Sequence, residues 1–214
     1  TIMPLTRLPL TTGVSGTLPI ANGGTNVTTA ADLANTGNLV LLNSTVISSN
    51  TSEIEYTSLI TDDYPIYEIH GDSVKMENDN SWVGVQLSVD GGSSYLGSNY
   101  SMSGYSNSTN DSHTGDYFRK ATNRTSMQTH YRYGSGNASN ENFGFKMIIY
   151  GLRETTTAKT CTVTQTGITD GGDGGGAVIQ YARLGTTAVV DALRIVPTSG
   201  NIASGTFALY GVKL

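Results

Sequence analysis

The chain has 214 residues and a net charge of −5, with only 14% charged residues against roughly 25% in ordinary soluble domains. An acidic chain with scattered cations lacks the basic face that phosphate contacts need, which argues against nucleic acid as a partner. The longest apolar run, Leu39 to Leu42, is far too short to span a bilayer, and a single cysteine, Cys161, rules out an intrachain disulfide.

From the N-terminal side, Leu-Pro-Leu-x-x-Gly at Leu8–Gly13 returns as Leu-Pro-Ile-x-x-Gly at Leu18–Gly23. Each leucine is biased to extended backbone by the proline that follows, and proline and glycine together prevent an interior helical turn. Each unit still carries two branched aliphatics, Leu8 with Leu10 and Leu18 with Ile20. A lone strand cannot bury such a pair. Several copies wound on one axis can, so residues 1–27 read as an extended stalk and assembly segment rather than a plain linker. Thr28 or Thr29 then suits an N-cap, Asp32 the first turn and Gly37 the C-terminal stop of a short helix. Residues 28–37 are accordingly a helix and hinge. The chain opens on Thr1 rather than Met, without a signal-peptide pattern, and reads as a fragment or processed product.

From Asn38 the punctuation is that of an all-β protein, with short runs of Val, Ile, Thr and Tyr between Gly, Asn, Asp and Ser clusters. Strands are expected at Leu39–Ile47, at Ser52–Ile60 with Ile54, Tyr56 and Ile60 on one face, and at Tyr64–His70. Trp82 to Val89 follows, closed by Asp90-Gly91-Gly92-Ser93 as a hairpin into Tyr95–Met102. Ser103–Thr125 reads as a long polar loop, a length that in compact domains marks function or disorder. Strands resume at Ser126–Tyr133, Phe143–Leu152, Lys159–Thr166, Ala177–Leu184, Val189–Val196 and Gly205–Lys213. About ten strands suffice for two packed antiparallel sheets. The expected head, residues 38–214, is a β-sandwich of jelly-roll character.

Tyrosine is the best functional clue: there are 12 against one tryptophan. Its flat apolar face and polar tip suit binding loops. Tyr100, Tyr105, Tyr117, Phe118 and Arg119 lie in or beside the long loop, where they could hold a sugar or a surface protein, or simply pack the loop down. Other motifs carry less. Asp170-Gly-Gly-Asp-Gly-Gly-Gly176 is followed by a strand-like run, so it lacks the helix a phosphate loop requires. Asp170 and Asp173 could assist a calcium ion, although a hairpin tip is the simpler reading and no metal is expected. His70, His113 and His130 are widely spaced and form no metal-binding pair. Cys161 alternates with Val163 as a small buried hydrophobe would, and Asp62-Asp63 reads as a pair of solvated turn acids. No Gly-x-Ser-x-Gly elbow is present. Eight Asn-x-Ser/Thr sequons, at Asn26, Asn43, Asn50, Asn99, Asn107, Asn110, Asn123 and Asn137, reflect an Asn-, Ser- and Thr-rich composition.

The string GTLPIANGGTNVTTAADLANTG, residues 16–37, resembles the short repeat of bacteriophage tail-fibre proteins, in which Leu-Pro-x-x-x-Gly-Gly-Thr precedes an Ala-rich helix and a glycine. SGNIASGTFALYGVK, residues 199–213, resembles the closing strand pair of a β-sandwich common at the ends of such fibres. Ile54-x-Tyr56-Thr-Ser-Leu and Leu87-x-Val-Asp-Gly-Gly-Ser-Ser-Tyr95 match more loosely. The resemblance implies a non-enzymatic virion protein, a tail fibre or receptor-binding tip, that works as a homotrimer. It would join other tail or capsid proteins through its N-terminal side and meet a host-surface glycan or protein with its head. No cofactor is implied. A purely structural fibre or decoration protein is the alternative, and a glycan depolymerase a more remote one.

Overall fold

Strict alternation of apolar and polar side chains, which gives a strand one buried face, shapes most of the head. The computed structural model describes residues 38–108, 117–130, 135–168 and 175–214. The chain divides into residues 1–40 and a compact unit of residues 41–214. Within the described residues run β1 (Leu39–Ile47), β2 (Ile54–Tyr56), β3 (Ile66–Met76), β4 (Val83–Ser88), β5 (Tyr100–Ser108) and β6 (Tyr117–Arg124). They continue as β7 (Met127–Gln128), β8 (Phe143–Tyr150), β9 (Lys159–Ile168), β10 (Gly175–Leu184), β11 (Ala192–Pro197) and β12 (Ile202–Val212). No helix occurs among them. The expected stalk, with Leu8, Leu10, Leu18 and Ile20, and the short helix at 28–37 lie outside the described residues.

The strands form an antiparallel β-sandwich, as the alternation predicts. One sheet has eight strands in the order β1-β12-β3-β8-β9-β10-β5-β6, and the other has four, β2-β11-β4-β7. Phe143, Phe145, Met147 and Ile149 of β8 turn inward, as do Cys161 and Val163 of β9 and Phe207 and Leu209 of β12. They meet Val83, Val85 and Leu87 of β4 and Leu193 and Ile195 of β11 in one continuous core. The sheets are also tied by polar bonds. The Leu87 N–H donates to Tyr100 Oη at 2.9 Å, and the Gln128 N–H reaches Met102 Sδ at 3.2 Å. Tyr67 fixes the β2–β3 connection, its hydroxyl accepting from Thr61 N–H at 2.7 Å and donating to the Thr61 carbonyl at 2.8 Å.

Four sequence expectations change. Ser103–Thr125 is not a loop: β5 and β6 pair from Tyr100↔Arg124 to Ser106↔Tyr117, so this polar stretch is mostly a hairpin. Its serines and glycines conceal a strand because Ser103 and Tyr105 lie on the outer face while Gly104 and Ser106, on the other, carry no hydrophobic signal. Asp90–Ser93 turns the chain but joins no adjacent strands, since β5 pairs with β10 and β6, in the sheet opposite β4. Asp90 accepts from the Ser94 N–H at 2.9 Å and the Ser88 hydroxyl at 2.8 Å, while Gly91 and Gly92 take φ of 71° and 89°. After Leu96 N–H bonds the Leu87 carbonyl at 2.9 Å, the chain crosses to the other sheet. Within Ser52–Ile60 the strand shrinks to Ile54–Tyr56, and within Ser126–Tyr133 the described strand is Met127–Gln128 alone.

Candidate functional site

The end of the large sheet built by β10, β5 and β6 brings the notable surface groups together. The ladder places Ile179 opposite Tyr105 and Tyr105 opposite Phe118. One step along it, Tyr181 faces Ser103 and Ser103 faces Lys120; one step further, Arg183 faces Ser101. Strand side chains alternate between faces, so these residues share the outer face while Met102, Ala121, Val178, Gln180, Ala182 and Leu184 are buried. Gly104 permits the tight β5–β10 approach: a Cβ there would lie 2.8 Å from the Ile179 carbonyl oxygen and 2.9 Å from Gln180 Cα. Behind it the Gln180 amide donates to the Gln128 carbonyl of the other sheet.

The outer face at this end is unusually apolar. Phe118 is 78% exposed, Ile179 66%, Tyr181 43% and Tyr105 38%. Beside them lies a shallow depression of about 140 Å³, lined by Ser101, Ser103, Lys120, Thr122, Tyr181 and Arg183 among others. A second depression of about 250 Å³ sits mid-sheet over Gly144, with Lys146, Thr164 and Thr166 on its walls. There the charge is neutralised. Lys146 Nζ lies 2.7 Å from Glu68 Oε2, which also meets His70 Nε2 at 2.9 Å. Burial pushes the Glu68 carboxyl up, but hydrogen bonds and charge from Lys146 and His70 outweigh it and leave the pKa below the ordinary value.

Two of the sequence-predicted binding residues, Tyr105 and Phe118, stand together on this face. Tyr100 does not. It is fully buried, with its hydroxyl engaged by Leu87 N–H, and desolvation drives its phenol to about 12. A strand that alternates faces must turn the residue at the start of β5 inward if Ser101, Ser103 and Tyr105 point out. Tyr117 and Arg119 occupy ladder positions opposite Ser106 and Gly104; their side chains are outside the description. Sequence reasoning missed Ile179, Tyr181, Lys120 and Arg183. The signal was available in Ala-Val-Ile-Gln-Tyr-Ala-Arg-Leu, which carries apolar residues on both faces of one strand, but it reads equally well as a doubly buried strand.

The remaining candidates fall elsewhere. Asp170, Asp173 and His113 lie outside the described residues, and among the described residues no cluster of three metal-ligating side chains forms. His130 is 5% exposed, its ring centroid 5.9 Å from that of Trp82, and burial lowers its pKa to about 4. Cys161 is a buried hydrophobe, its thiol raised to about 12 by desolvation. Asp62 is an exposed turn acid, as expected, but it also forks onto Arg153 at 2.7 and 3.3 Å. Comparison with protein-family models, curated proteins and solved structures finds no match to this chain.

Proposed function

We propose that the chain is a non-enzymatic attachment protein of a virus particle, a tail-fibre or receptor-binding tip whose sandwich head holds a host-surface glycan. The observation that carries the reading is the pair of rows Ile179–Tyr105–Phe118 and Tyr181–Ser103–Lys120 on one open sheet face. A sheet face displaying rings and hydroxyls around a shallow depression suits reversible capture of a sugar surface. Such a shallow site binds weakly alone. Three copies on one stalk would gain avidity without any new contact, which is the role assigned to Leu8, Leu10, Leu18 and Ile20 in a homotrimer attached to other virion proteins through the N-terminal side.

The test is capture of the labelled full chain by candidate host cells, compared with a Phe118→Ala/Ile179→Thr double variant. Deleting Ser103–Thr125 would remove strand pairs of the sheet, so point variants are the sound probes. Saturable binding that falls at least about five-fold in the double variant supports the reading, since exposed ring contacts of this kind contribute roughly 1 kcal/mol. A structural fibre or decoration role is the second reading, favoured by the exposed Leu41 and Val46 on the opposite edge strand β1, 55% and 70% exposed. It predicts no capture by any cell type and unchanged particle assembly in the double variant. Sedimentation of the full chain, with and without serine at Leu8, Leu10, Leu18 and Ile20, checks the trimer.

A further inference from the structure

The depression next to the aromatic rows has a charge pattern that neither folding nor simple apolar contact accounts for. Lys146, Arg153 and Arg194 each hold a carboxylate at 2.7 Å. Lys120 and Arg183 hold none among the described residues, and both line the same hollow. In a chain of net charge −5, two unneutralised cations in one place mark a locally positive spot on an acidic molecule. They stand two strands apart, on β6 and β10. Strand geometry separates their backbones by roughly 10 Å across the sheet and about 7 Å along it, a gap that both long side chains can close onto one small ligand. Tyr181, 43% exposed, precedes Arg183 by two residues on β10 and faces Lys120 across Ser103 in the ladder, and offers a ring face. Ser101, Ser103 and Thr122 add hydroxyls that both donate and accept. At about 140 Å³ the hollow is well below the roughly 300–1,000 Å³ of clefts that enclose drug-sized ligands; it has room for one ring.

We propose that this hollow holds a single anionic sugar residue. The sugar's apolar face stacks on Tyr181, its hydroxyls meet Ser101, Ser103 and Thr122, and its carboxylate or sulfate lies between Lys120 and Arg183. The inference rests on the attachment reading and narrows it to acidic glycans. Arg183 supplies the planar donor fork and Lys120 the point charge.

The experiment is calorimetric titration of the full chain with three matched trisaccharides: galacturonate, neutral galactose and sulfated galactose. An acidic trimer is expected to bind about ten-fold tighter than the neutral one, and the better of the two acidic arms identifies the anion. Lys120→Gln and Arg183→Gln should each weaken the acidic ligand roughly two- to five-fold, the range of exposed ion pairs. High salt should erase that difference, and Lys146→Gln should change nothing. Tyr181→Ala should weaken acidic and neutral ligands alike. Equal affinity for acidic and neutral trimers, or acidic affinity indifferent to both charge variants, overturns the assignment. If host cells still capture the chain in that case, attachment stands and only the anionic site falls. If capture fails as well, the attachment reading falls with it.

Discussion

The centre of the eight-stranded sheet and its β10–β5–β6 end share one architecture and differ in what they show to solvent. Outward from β9 the centre presents Thr162, Thr164 and Thr166, and its one described charge cluster, Glu68 with Lys146 and His70, is internally paired. The end presents Phe118, Ile179, Tyr181 and Tyr105, with Lys120 and Arg183 unpaired among the described residues. Folding explains the centre: threonine favours strands and stays hydrated, and paired charges offset each other. It does not explain the end. Exposed apolar side chains singly are ordinary, but a contiguous group of them on one sheet face points to an interaction surface.

The contrast is sharpest between two phenylalanines of the same sheet. Phe143 of β8 is 1% exposed, in the core beside Phe145 with ring centroids 6.2 Å apart. Phe143→Ala should cost about 3–5 kcal/mol, through lost burial and the cavity left behind. Urea unfolding monitored by circular dichroism measures it, and a loss below about 1 kcal/mol would show that Phe143 is not part of a close-packed core.

A slightly smaller effect is expected from pH. His130 is buried against Trp82 with its pKa lowered by desolvation from 6.5 to about 4. The folded state favours the neutral ring, so the unfolded chain takes up the proton first. The associated stability is complete above about pH 6.5 and is lost as pH falls toward 4, on the order of 3 kcal/mol in all. Unfolding free energy should therefore slope upward between those values, and His130→Gln should flatten the slope. Glu68, whose depressed pKa acts only below the ordinary carboxylate range, contributes at more acid pH and is separable on that ground.

Third comes the link between the sheets. Tyr100→Phe keeps the buried ring but removes the hydroxyl that accepts from the Leu87 N–H. Leaving that donor without a partner should cost about 1–3 kcal/mol. Equilibrium unfolding of this variant should keep the wild-type denaturant slope, because the core is otherwise intact. A much smaller loss would mean that the amide finds another acceptor.

The parts of this molecule that were legible in the sequence are those where burial writes a pattern. The period-two rows Phe143–Ile149, Cys161–Val163 and Val83–Leu87 place β8, β9 and β4 correctly because a half-buried strand must alternate. The β5–β6 hairpin was hidden because Ser101, Ser103, Gly104 and Ser106 carry little hydrophobic signal, and its position is set by pairing with distant β10. The same long-range pairing assembles the candidate site. Tyr105 and Phe118 could be named from their local context; Ile179, Tyr181 and Arg183, more than 70 positions beyond Tyr105, join them only through the sheet register. Tyr100 was misplaced because composition marks a tyrosine without saying which face it occupies.

The smallest expected effect on stability bears most directly on the contrast between centre and end. Phe118 is 78% exposed on the edge strand β6, so Phe118→Ala removes little buried surface and should move the unfolding free energy by no more than about 0.5 kcal/mol. Edge strands that carry exposed apolar rings invite unwanted pairing, so the substitution should also leave solubility unchanged or improve it. At a ring that contributes little to stability and sits where it is a liability, a folding role and a binding role give opposite results. A fall in cell capture at unchanged stability would place its role in binding. A loss of 2 kcal/mol or more would place Phe118 within the fold and dissolve the distinction between the centre of the sheet and this end.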